Sequence, residues 1–170
     1  DKVKKLKVRT NAETPSDAKR ALGFGAEGIG LFRIEHMFYG EGSEEPLFHL
    51  QEMIMANSQK ERKIALDSLF PFMKNDIKET LRTMQGLPVT IRLMDPPLHE
   101  FIPHDSKRQK QLADSLGIDA DELERRSEAL KESNPMMGHR GVRLGITHPE
   151  ITEMQARSIL EAAAELTSEK

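Results

Sequence analysis

The stretch GFGAEGIGLFR, residues 23–33, decides the fold. Its glycines at 23, 25 and 28 spell G-x-G-x-x-G. That spelling cradles a dinucleotide pyrophosphate only where it follows a strand and opens a helix, whose first N–H groups then face the phosphates. Here the order is reversed. Ser16 is placed to cap a short helix through Leu22, Gly23 to stop it, and the residues after Gly28 alternate with period 2. The glycines therefore read as a helix C-cap and a tight turn feeding a strand, GIGLFRI (28–34), with Ile29, Leu31 and Arg33 on one face and Phe32 and Ile34 on the other.

Working outward, LKVRTNA (6–12) is predicted as a first strand. FHLQEMIMAN carries Leu50, Met53 and Ile54 at helical spacing, and SQKERKIALDSL opens on the capping-box pair Ser58 and Glu61, which suggests a restart or continuation. Asp76 and Glu79 repeat that spelling before IKETLRTMQ, and Gly86 closes the segment. LPVTIRLMDPP (87–97) is predicted as a third strand ended by its two prolines. Residues 98–133 look like an insertion with a surface helix capped by Asp119 and Glu122. GHRGVRLGI (138–146) is predicted as a fourth strand, and a last helix follows from Thr147 and Pro149, with Ile151, Met154, Ile159, Ala162 and Leu166 as its apolar stripe. The order β-α-β-α-β-(insertion)-β-α indicates a parallel sheet with crossover helices, open or closed into a barrel. A (β/α)8 barrel needs about 250 residues, so four strands would make about half of one.

Composition narrows the function classes. The net charge is −3 with cations spread along the chain, which gives no electrostatic footprint for nucleic acid, and KVKKLKVR (2–9) reads as solvated lysines flanking a strand. There is no cysteine, which excludes disulfides and thiolate chemistry within this stretch. No apolar run approaches a membrane span and no signal-peptide pattern is present, so the expected location is cytoplasmic. The chain opens at Asp1 inside a strand-like segment, which suggests a piece of something longer.

Among the histidines, HEFIPH (99–104) is one residue too long for H-E-x-x-H, and Pro103 sits where that motif needs continuous helix, so no metal site is expected. The arginines carry more. Arg33 falls at the C-terminal end of the second strand, Arg92 at the equivalent place in the third, and Arg140 in the fourth. Sites in parallel α/β folds assemble at those ends. Each arginine could be a structural ion pair, with Glu35 or Asp95 as partner. Three converging guanidinium groups would instead suit a phosphate or carboxylate.

GAEGIGLFRIEHMFYG, PVTIRLMDPPLHEFIPH and NPMMGHRGVRLGITHPEI resemble the phosphoenolpyruvate/pyruvate domain of the pyruvate, phosphate dikinase family, over about residues 8–165. Phosphoenolpyruvate synthase and the first enzyme of the sugar phosphotransferase system share the arginines and the NP-x-x-G-x-R spelling. EHMFYG, DPPLHEF and the insertion before Asn134 point to the dikinases. The resemblance implies part, about the first half, of a (β/α)8 TIM-type barrel across residues 1–170, with a helical insertion at 98–133. It implies an enzyme that interconverts ATP, phosphate and pyruvate with AMP, diphosphate and phosphoenolpyruvate through a phosphohistidine on a separate domain, with Mg2+ as cofactor. Arg33, Arg92 and Arg140 fall on the family's substrate-binding arginines, and Asp95 on a further active-site position. The implied partners are phosphoenolpyruvate or pyruvate and the phosphohistidine domain, in a homo-oligomeric parent.

Two departures stand out. Ile34 occupies the place where the family usually has threonine. The family's metal carboxylates, a substrate-holding asparagine and a cysteine acid belong to later strands than this sequence reaches, so the piece is expected to be inactive alone. Half a barrel also leaves unpaired strand edges, so poor stability or self-association is expected. The competing readings are a free-standing module that binds phosphoenolpyruvate or phosphate, and an interaction domain using the 98–133 helices.

Overall fold

The computed structural model describes residues 5–40, 42–131 and 133–169; the lysines at 2 and 4 of the basic stretch fall outside them. Three strands, β1 (Thr10–Asn11), β2 (Ile29–Arg33) and β3 (Val89–Arg92), form one parallel sheet in the order β1-β2-β3. Helices carry most of the remaining chain, so the fold is mixed α/β with a small sheet.

The first crossover is α1 (Pro15–Gly23). Its N-cap is Thr14, whose hydroxyl accepts from the Asp17 N–H at 3.1 Å, rather than Ser16, which lies inside the helix. The glycine turn behaves as its order predicted. Phe24 caps the helix, Gly25 takes φ +88°, and Gly28 at φ +152° brings its backbone against Pro88, where an added Cβ would lie 2.8 Å from the Pro88 carbonyl oxygen. The motif is a helix exit and a close strand approach.

The second crossover is α2 (Glu44–Met55) and α3 (Gln59–Thr83). Ser58 caps α3 through the Glu61 N–H, as its spelling indicates. The Asp76–Glu79 spelling caps nothing, because α3 runs unbroken for 25 residues through Pro71 and past Asp76. Packing explains the continuity: Leu66, Leu69, Met73 and Ile77 lie on one stripe and are fully buried. The insertion holds two helices, α4 (Ser106–Leu116) and α5 (Ala120–Leu130), instead of one. Asp119 caps α5, accepting from the Glu122 N–H at 2.7 Å. The insertion is more than a surface appendage, since Ile102, Leu112, Ala113 and Leu123 bury a second small core with Met55 of α2.

The predicted fourth strand is a correction. Residues 138–146 supply no strand; they run through Arg140 into α6 (Gly141–Thr147), which leads into α7 (Pro149–Ser168). The alternation of Val142, Leu144 and Ile146 misleads because only Leu144 is buried, while Val142 and Ile146 are exposed. The predicted first strand also shrinks to two residues, with Leu6 and Val8 exposed. In α7, Ile151, Met154 and Ala162 are buried against the main core and Ile159 packs partly on it, as the stripe predicts.

Candidate functional site

The end of the sheet where β2 and β3 stop gathers the predicted arginines. Arg33 and Arg92 close their strands and are direct register partners, so they share a face. Strict alternation would have put Arg33 with Ile29. A register shift between Ile29 and Phe32 changes that: Ile29 and Phe32 both become fully buried toward the helices. An irregularity of this kind re-aims the side chains that follow it. Ile34 begins the 3-10 turn Ile34–Phe38 after β2 and is buried in the core, so its side chain serves as apolar packing.

Arg140 arrives differently from the prediction. It sits at the N-terminal boundary of α6, not on a strand. Asn134 caps the 3-10 turn Pro135–Met137 by accepting from the Met136 N–H at 3.1 Å. Gly141 then takes φ +54°, with Asp95 Oδ1 2.6 Å from where a Cβ would stand, so any side chain at 141 collides with Asp95. That close passage aims Arg140 back at the end of β3, where its Nε donates to Asp95 Oδ1 at 3.3 Å and Nη1 to the Pro135 carbonyl at 3.4 Å.

Each arginine has a carboxylate of its own. Arg33 pairs with Glu13, whose other oxygen lies 3.4 Å from His36 Nδ1; Arg92 pairs with Glu35; Arg140 pairs with Asp95. Two adjacent guanidinium groups on one face repel, and Glu13 and Glu35 offset that repulsion by pairing with one each. The pairs differ in burial: the Glu35 side chain is 4% exposed, Glu13 21% and Asp95 38%. Arg92 is 39% exposed, so its pair joins a buried carboxylate to a cation that reaches outward. The Arg92–Glu35 contact runs from Nη2 to Oε1 and leaves Arg92 Nε and Glu35 Oε2 buried without a partner. Buried orphans of this kind typically cost about 1–3 kcal/mol each, more when charged.

Arg92 and Asp95 also line a cavity of about 540 Å3 whose far wall is Gly141, Val142, Gly145 and Ile146 of α6 with Thr152 and Gln155 of α7. Gln155 pins that wall to the segment just after β3, accepting from the Met94 N–H at 2.7 Å and donating to the Ile151 carbonyl at 3.2 Å. Nearby, Tyr39 stacks on Phe101 with centroids 5.6 Å apart, and burial, then Glu100 and Glu35, push its hydroxyl pKa above the usual value. A second cleft, about 470 Å3, lies between Glu13, His36 and Asp76; burial pushes the Asp76 carboxyl up to about 6.

The structure therefore brings Arg33, Arg92, Arg140 and Asp95 to the same end of the sheet. Sequence reading named Glu35 and Asp95 as possible partners and missed Glu13 and Gln155. Glu13 had a signal, since it follows β1 at the same strand end that exposed Arg33 and Arg92. Among the described residues no group of three or more His, Cys, Asp or Glu side chains is placed to hold a metal ion, so these residues supply no ready seat for Mg2+. No helix among them is long and apolar enough to cross a membrane.

Residues 1–169 match the family described as PEP-utilising enzyme, PEP-binding domain. The chain belongs to that family. It is 47% identical over 169 residues to pyruvate, phosphate dikinase of Clostridium symbiosum, covering 99% of this chain and 19% of that protein. It is 52% identical to the Rhizobium meliloti (strain 1021) dikinase over 97% of the chain and 18% of the relative. Dikinase 1 of Oryza sativa subsp. japonica, a chloroplastic protein, is 52% identical over 99% of the chain and 18% of its own length. The chain thus spans about a fifth of the length of the curated relatives it matches.

Proposed function

We propose that this chain is the phosphoenolpyruvate/pyruvate-binding part of a pyruvate, phosphate dikinase, and that Arg33, Arg92 and Arg140 grip the transferring phosphoryl group. The observation that carries the reading is the register pairing of Arg33 with Arg92 at the strand ends, with Arg140 turned onto the same region by the Gly141–Asp95 contact. Phosphoryl transfer asks a protein chiefly to position the group and to neutralise charge on its three oxygens. Planar guanidinium forks suit both tasks.

In this reading a phosphohistidine from another domain breaks its N–P bond as the pyruvate enolate oxygen forms an O–P bond. The arginines hold the phosphoryl oxygens in line, and Asp95 fixes Arg140. No side chain of this stretch exchanges a bond. Mg2+, which no group of the described residues is placed to hold, would supply further charge neutralisation in the full enzyme. The three-stranded sheet, with α3 packed on α1 and α7, is read as part of a (β/α)8 barrel, with 98–133 inserted. The stretch by itself is proposed to be inactive, and the intact enzyme to be a homo-oligomer.

The test is a chimera. Residues 1–169 replace their counterpart in the Clostridium symbiosum dikinase, to which they are 47% identical. The reading predicts ATP-dependent formation of phosphoenolpyruvate from pyruvate. A folded chimera that charges its histidine from ATP but makes no phosphoenolpyruvate would contradict it. Micromolar binding of phosphoenolpyruvate to the 170-residue chain without Mg2+ would instead mark a self-sufficient binding module.

A further inference from the structure

Glu35 has a place in this site that its partner alone does not explain. It follows β2 on the 3-10 turn whose Ile34 and Phe38 anchor in the core, so the turn fixes its backbone rigidly. Its carboxylate is the buried one of the three that meet the arginines, while Arg92 reaches outward into the cavity beside Asp95. Among the described residues Glu35 is the hydrogen-bond partner of Arg92. The contact uses one oxygen and one terminal nitrogen, and the orphaned atoms are the other oxygen and Nε of the same two groups. Those orphans are the complementary half of a two-bond guanidinium–carboxylate fork. A small rotation of the Arg92 head would satisfy both at once and would leave Nη1 to face the cavity.

We infer that Glu35 is the positioning residue of Arg92: it anchors the Nε/Nη2 edge of the guanidinium and so presents Nη1 to the phosphoryl group of phosphoenolpyruvate. This rests on the functional reading above. Glu35 touches no substrate in this arrangement and acts wholly through Arg92. A buried negative charge behind the arginine also keeps the head from swinging to Asp95, which already holds Arg140.

The test uses the chimeric dikinase with Glu35→Gln, Glu35→Asp, Arg92→Ala and the Glu35→Gln/Arg92→Ala pair. Glu35→Gln keeps the shape and removes the charge; Glu35→Asp keeps the charge and withdraws it by one methylene. The dissociation constant for phosphoenolpyruvate is expected to weaken about 10- to 100-fold in Glu35→Gln, as is usual when the partner that orients a binding group is lost. Pyruvate affinity and ATP-dependent charging of the histidine stay at parent values. Glu35→Asp weakens phosphoenolpyruvate in the same sense, which keeps the test open if the Gln variant does not fold. In the double variant Glu35→Gln adds nothing to Arg92→Ala, because residues that act as one unit are not additive. Parent-level affinity in both Glu35 variants, or a full additive loss in the pair, overturns the inference. Parent-level affinity in Arg92→Ala overturns the functional reading itself.

Discussion

The molecule uses cation–carboxylate pairs in two places, to opposite ends. Along the outer seam between α3 and α7, Lys74, Lys78 and Arg82 meet Glu161, Glu165 and Glu169 in a ladder, with Lys74 and Lys78 both bonding Glu165 at 2.7 and 2.6 Å. Those carboxylates are 40–42% exposed, and each has a cation at hydrogen-bond distance or close to it. At the strand ends the pairs are fewer and less complete, and one carboxylate is buried with an unmatched oxygen behind an outward-facing arginine. A saturated, solvated ladder sets helix register and contributes little more. An unsaturated cluster facing a cavity retains capacity for an anion. The two clusters differ in the completeness of their pairing, and the proposed role of the arginines rests on that difference.

The largest effect that could break this contrast is at Arg92. Arg92→Ala in the chimeric dikinase is expected to lower pyruvate phosphorylation by about 10²–10³-fold, the usual result of deleting one preorganised donor to a developing charge. ATP-dependent charging should continue at the parent rate. Next comes the buried start of the α3–α7 seam, where Arg62 Nη1 meets Glu150 Oε1 at 3.0 Å with side chains 11% and 5% exposed. Glu150→Ala strands that arginine and should cost about 3 kcal/mol of unfolding free energy, read by urea denaturation, with phosphoenolpyruvate affinity unchanged.

Asp76 supplies a smaller effect with a definite pH signature. Burial raises its folded pKa from 3.8 to about 6. The folded state thus holds its proton more tightly than the unfolded chain, and stability falls as pH rises through that window. Asp76→Asn should raise the melting temperature at pH 7–8 and change it little at pH 3. Glu165 titrates the other way: hydrogen bonds from Lys74 and then Lys78 lower its pKa from 4.5 to about 2. Its contribution is present above 4.5 and fades as pH falls toward 2. Glu165→Gln should give a slight drop in melting temperature at neutral pH that vanishes near pH 2 and shrinks in high salt. Its transfer rate should equal the parent's.

Much of this site was legible in the sequence because its signals are local. The reversed order of helix, glycines and strand identified the turn at Gly23–Gly28, and the positions of Arg33 and Arg92 at strand ends followed from the alternation of elements. What escaped depends on contacts distant in sequence. The 138–146 segment alternates like a strand, yet the Gly141 passage over Asp95 and packing of α6 against α7 make it helical. The register shift that aligns Arg33 with Arg92 leaves no mark in composition. Asp76 spells a helix cap but lies inside α3, where burial of Met73 and Ile77 overrides the local signal. Glu13 and Arg33, 20 residues apart, meet only because β1 and β2 are parallel neighbours.

The most direct measurement of the central claim is a calorimetric titration of the chimeric dikinase and its Arg92→Ala variant with phosphoenolpyruvate and, separately, with pyruvate. If the arginines hold the phosphoryl group, Arg92→Ala weakens phosphoenolpyruvate by at least about tenfold, the loss of one charge-assisted bond, and leaves pyruvate nearly unchanged. Equal weakening of both ligands, or of neither, would contradict the account.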